Sequence, residues 1–145
     1  MANKSIAHAV WEHDLAKGKG SVRSDTGAFG DLPVTWAARA ENHNGLTSPE
    51  ELLAAAHASC YAMALSASLG RQQKPPEKLT VTATATFDKV GDAWRVTTME
   101  LAVVGRVPGI TPTQFDEAAK AAKEGCPISQ ALRNNVTVTL TTKLE

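Results

Sequence analysis

Only two cysteines stand in the 145 residues, Cys60 and Cys126. That is too few for the disulfide framework of a small secreted domain, and in a reducing cytosol a single bond between them is chemistry more often than scaffolding. An excess of charge is also missing. Fifteen basic residues face fifteen acidic ones, leaving no net field to draw the chain onto nucleic acid or an anionic membrane. The opening MANKSIAHAVWEHD has no continuous apolar run, and no stretch reads as the roughly 20 apolar residues of a membrane span, so a cytoplasmic protein is expected. Metal-ligand spacing is absent as well: there is no CxxC or HxxxH, and His8 and His13 would fall on opposite faces of a strand. The GKGKG segment lacks the helix of a phosphate loop, and without a flavin or nicotinamide motif no cofactor is expected.

The length suits one domain spanning residues 1–145 around a single core. Apolar and polar residues alternate over 6–11, 21–24 and 34–40, with glycine-rich turns between, which predicts three strands. In SPEELLAAAHASCYAMALSASLG, Ser48 suits a helix cap, Pro49 the first helical position and Glu51 the third, and Ala, Leu and Met carry the helix to Gly70. Residues 79–89 and 92–107 alternate again around Gly91 as a hairpin. Thr111, Pro112 and Gln114 repeat the cap pattern for a helix to Gly125, Pro127 opens a short one, and 135–143 is a last strand. The expected class is α+β, with antiparallel sheet and one long helix.

Cys60 lies three turns into that long helix. A free cysteine there is as readily a buried structural thiol as a reactive one. At about 100° per residue, Glu50, His57 and Cys60 fall along one side, whereas Glu51 points away as the capping carboxylate. A rise of about 1.5 Å per residue separates Glu50 from Cys60 by roughly 15 Å along a straight helix, so Glu50 can act on the thiol only through a long cation or from a second chain. Arg39 and Arg23 are the candidate cations, since a guanidinium beside sulfur favours the thiolate and hydrogen-bonds a peroxide oxygen. His57, one turn from Cys60, reads as a hydrogen-bonded core residue in preference to a catalytic base, because no Asn or Asp stands in an orienting position. Cys126, between Gly125 and Pro127 at a helix start, is by local physics as good a nucleophile as Cys60. At this level a binding protein with packed cysteines, a Cys60–His57 thiol hydrolase and a two-cysteine redox enzyme all remain open.

The stretches TSPEELLAAAHASCYAMALS, FDKV, VPGI and EGCPISQAL, with WEHDLAKGKG near the start, closely resemble the osmotically inducible protein C branch of the family that includes the organic hydroperoxide resistance proteins. The resemblance covers essentially the whole chain. It implies an OsmC-like fold, an intertwined homodimer and a thiol peroxidase that reduces organic hydroperoxides, and hydrogen peroxide more weakly, in oxidative or osmotic stress. Position by position, it implies that Cys60 is the peroxidatic cysteine, Cys126 the resolving one, Arg39 the arginine that holds the thiolate and Glu50 the glutamate that orients it. Arg23 lies nearer the place where the hydroperoxide-resistance branch keeps its arginine. The reductant it implies is a dithiol carried on a lipoylated protein.

Overall fold

The computed structural model describes all of residues 1–145. The chain divides into two compact units, Met1–Leu52 and Leu53–Glu145.

The first unit is a three-stranded antiparallel sheet of β1 (Ala7–Glu12), β2 (Lys19–Ser24) and β3 (Leu32–Val34), followed by helix α1 (Trp36–Ala40). Close approach of β1 explains the glycines of GKGKG: a Cβ at Gly20 would run into the Val10 carbonyl and the Trp11 ring. The alternation over 34–40 does not extend the strand. β3 ends at Val34, the Thr35 hydroxyl accepts from the Ala38 amide at 3.1 Å, and WAARA turns as α1. A local cap and three helix-favouring alanines outweigh a short period-two pattern. Arg39 therefore stands on a helix and not on a third strand.

Helix α2 (Pro49–Arg71) begins at the end of the first unit and continues into the second. At its start the Ser48 hydroxyl accepts from the Glu51 amide at 3.1 Å, which is half of the expected capping box. The Glu51 carboxylate takes the Thr47 hydroxyl at 3.2 Å. By length and composition this helix is apolar enough to cross a membrane, contrary to the expectation that no stretch of the chain is. Tyr61, Leu65 and Leu69 instead sit fully buried in the core of the second unit.

The second unit is a sheet in the order β4 (Lys78–Val90), β5 (Ala93–Arg106), β6 (Thr137–Leu144), with α3 (Pro112–Gly125) and α4 (Pro127–Leu132) between β5 and β6. The hairpin β4–β5 is antiparallel, but β6 lies parallel to β5, because two helices rather than a tight turn bring the chain back. The α+β class stands, with a mixed second sheet. Register sets the inner face: Met99, Leu101 and Val103 of β5 meet Ala85, Ala83 and Val81 of β4 and Val138, Leu140 and Thr142 of β6. At Gly105 the Phe115 ring of α3 occupies the space a side chain would take. α3 opens with the expected reciprocal capping box, the Thr111 hydroxyl on the Gln114 amide and the Gln114 side chain on the Thr111 amide.

Candidate active site

Cys60 sits in mid α2, and Cys126 is the single residue that ends α3 and begins α4. Packing of these helices brings together two thiols 66 positions apart. The Cys126 thiol donates to the Cys60 sulfur at 3.3 Å. Both are free thiols, Cys60 partly exposed and Cys126 fully buried. Closure to a disulfide requires the sulfurs to come roughly 1.3 Å nearer, since the bond is about 2.05 Å long.

Burial pushes the Cys60 thiol above its ordinary value. The Ile128 amide, hydrogen-bonded to the sulfur from the first turn of α4, pulls the other way, and the Cys126 sulfur alongside adds to the rise. Charge on one sulfur opposes charge on its neighbour. The helix start expected to serve Cys126 thus directs an amide at Cys60. Within this unit the thiolate has one favourable donor and no cation among the causes of its shift.

In the first unit, the Arg39 guanidinium lies on the Glu50 carboxylate, Nη2 to Oε1 at 2.7 Å and Nε to Oε1 and Oε2 at 3.1 and 3.2 Å. This forked contact holds the guanidinium plane more firmly than a single bond would. Glu50 is 7 % exposed at its side chain and Arg39 35 %, so the carboxylate is the more deeply buried partner of the pair. Glu51 is occupied with the cap and Thr47, leaving Glu50 for the arginine as helix geometry predicts. Arg23 is exposed on β2 opposite His8. Arg39 borders a cavity of about 290 Å³ whose other walls include Trp11, Leu15, Val34 and Trp36. The two predicted pairs are therefore each assembled, one in either unit.

Residues 42–141 match the family model described as OsmC-like protein. The chain belongs to this family. It is similar to "Peroxiredoxin OsmC" of Escherichia coli (strain K12), 40% identical over 93% of this chain and 92% of the relative. A more distant likeness is to "Organic hydroperoxide resistance protein" of Xanthomonas axonopodis pv. citri, 29% identical over 66% of each. Among solved structures, the organic hydroperoxide resistance protein OhrB of Bacillus subtilis matches with a TM-score of 0.71 and 25% identity, over 97% of this chain and 98% of that one. One from Elizabethkingia anophelis matches with a TM-score of 0.75 and 23% identity over the full length of both.

Two participants of this OsmC-like site escape sequence reasoning. The Ile128 amide is backbone and leaves no residue signature. Ser129, whose hydroxyl meets His57 Nε2 at 2.7 Å, is 72 positions from its partner. His57 is the buried, hydrogen-bonded residue expected, and burial lowers its pKa so that the ring is neutral near pH 7.

Proposed function

We propose that this chain is a cysteine-based peroxidase that reduces organic hydroperoxides to alcohols, with residues 1–145 acting as one peroxidase domain in stress defence. The observation that carries the reading is the 3.3 Å approach of a partly exposed and a fully buried thiol. The difference in exposure supports one division of the roles that local physics left open: peroxide reaches Cys60, and Cys126 waits behind it. The names of the relatives, a peroxiredoxin and an organic hydroperoxide resistance protein, support the same chemistry.

The Cys60 thiolate attacks the terminal oxygen of ROOH, the O–O bond breaks, and the alkoxide takes a proton and leaves as alcohol. Cys60 is then a sulfenic acid. The Cys126 sulfur attacks the Cys60 sulfur, the S–O bond breaks, water departs and a disulfide remains. An external dithiol, of the kind carried by lipoylated proteins, restores both thiols in a reducing cytoplasm. Burial alone disfavours the thiolate, so the mechanism calls for a cation at Cys60, and the Arg39 guanidinium, oriented by Glu50, is the group assigned to supply it. The apolar cavity beside Arg39 suits an organic substituent better than hydrogen peroxide. The active form is a homodimer, a reading supported by the exposed Val10, Trp11 and Leu15 of the first unit.

The test is consumption of cumene hydroperoxide and hydrogen peroxide by wild type, Cys60→Ser and Cys126→Ser, with dihydrolipoamide or dithiothreitol as reductant. Loss of all turnover in Cys60→Ser, impaired recycling in Cys126→Ser and preference for the organic peroxide are expected. Turnover by Cys60→Ser equal to wild type, or no turnover by any of the three proteins, would overturn the reading.

A further inference from the structure

We propose that His57 and Ser129 form a buried clasp that holds the two cysteine-bearing helices in register and so governs closure of the Cys60–Cys126 disulfide. The inference rests on the peroxidase reading for its biological sense but not for its test. His57 stands three residues before Cys60 on α2, and Ser129 three residues after Cys126 on α4. The contact between them, 2.7 Å from Nε2 to Oγ, is a polar cross-link one turn removed from the sulfur pair. His57 is fully buried and Ser129 nearly so. Little water competes for the bond, which is where a hydrogen bond constrains most.

The other ring nitrogen, Nδ1, is buried with no hydrogen-bond partner in the protein. The neutral ring has one proton, and a buried N–H left unpaired is rarer and costlier than an unpaired lone pair. The proton therefore belongs on Nε2, donated to Ser129. The ring is held from one side only, and Ser129 is its whole polar anchorage. That is more than filling a core requires, since an apolar side chain would fill the same space without the polar cost of Nδ1.

The consequence is kinetic and thermodynamic together. Disulfide closure is intramolecular, and its rate and equilibrium follow how tightly the sulfurs are confined before they bond. The α2–α4 clasp supplies that confinement in the dithiol and sulfenic forms. Neither side chain is hydrogen-bonded to a sulfur, so His57 and Ser129 are positioning residues, and the ring takes no proton from Cys126.

The experiment uses the full chain as wild type, Ser129→Ala, His57→Leu, His57→Gln and the double variant Ser129→Ala/His57→Leu. The Cys60–Cys126 thiol–disulfide equilibrium is titrated against reduced and oxidised dithiothreitol, without peroxide. Single-turnover kinetics with cumene hydroperoxide then separate attack on Cys60 from closure, with dimedone trapping the sulfenic acid. Loss of one buried hydrogen bond predicts a shift of about tenfold toward the dithiol in Ser129→Ala and His57→Leu. Closure should slow about tenfold relative to peroxide attack, with more dimedone adduct. The double variant should be no worse than either single one, because both remove the same contact. His57→Gln, whose amide can donate from nearly the place of Nε2, should recover most of the loss. An equilibrium constant in Ser129→Ala equal to wild type overturns the clasp, and so does equal slowing of attack and closure. A wild type that consumes no peroxide, yet whose disulfide equilibrium shifts in Ser129→Ala, sinks the peroxidase reading and leaves the clasp standing.

Discussion

The two units of this chain stabilise themselves in opposite ways. In Leu53–Glu145, Tyr61, Leu65, Leu69, Met99, Leu101 and Phe115 are fully or almost fully buried, and three strands and three helical segments share that core. In Met1–Leu52 the one buried apolar side chain is Ala38, while Ile6, Val10, Trp11 and Leu15 are exposed. What the first unit does bury is polar: Ser48, which caps α2, and Glu50, which anchors Arg39. One unit supplies rigidity for a pair of sulfurs, and the other presents a guanidinium. A unit this small buries too little apolar surface to build a core of its own.

Core truncation tests this contrast most severely. Phe115→Ala should destabilise the second unit by about 3–5 kcal/mol, the usual cost of emptying a packed aromatic site, read from urea unfolding. Retention of wild-type stability would mean that Phe115 does not fill the space above Gly105.

The Arg39–Glu50 pair should respond asymmetrically. Arg39→Met strands a buried carboxylate and should cost about 2–3 kcal/mol, whereas Glu50→Gln leaves a guanidinium that still reaches water and should cost about 1 kcal/mol. Both should slow the peroxide step. Equal stability losses would contradict carboxylate anchoring.

Acid should act on the second unit through His57. Burial depresses its pKa below the ordinary 6.5, so below that pH the unfolded chain binds a proton that the folded chain refuses. Stability is then lost as pH falls from about 6.5 toward the folded value. Urea midpoints at pH 7.5 and 5 should differ less in His57→Gln than in wild type, and identical slopes would contradict a neutral buried ring.

The exposed face of β1 should be the least sensitive part of the chain. Val10→Ser on exposed β1 should change the stability of the isolated chain by less than about 0.5 kcal/mol. If the chain dimerises through this face, the unfolding midpoint of wild type should rise with protein concentration, and the same substitution should weaken association in sedimentation velocity and flatten that rise. A loss above 2 kcal/mol in dilute monomer would show that β1 is buried within one chain.

Local chemistry alone determined a good part of this protein. Ser48 before Pro49 and Thr111 before Pro112 start helices because the hydroxyl that satisfies the first free amides lies within three residues of them. The alternation in β4 and β5 and the left-handed turn at Gly91 are equally short in range. The cysteine motifs and their surroundings carry the family likeness in the sequence itself. The period-two pattern at 34–40 misled because seven residues hold too few periods to outweigh a cap at Thr35. Only tertiary structure decided that β6 runs parallel to β5, that the Ile128 amide turns toward Cys60, that Ser129 meets His57, and that Cys126 is buried while Cys60 is open. Each of these joins positions distant in sequence or depends on a backbone group common to every residue. Such contacts form when the apolar faces of α2, α3 and the second sheet find one another, and no local rule encodes that meeting.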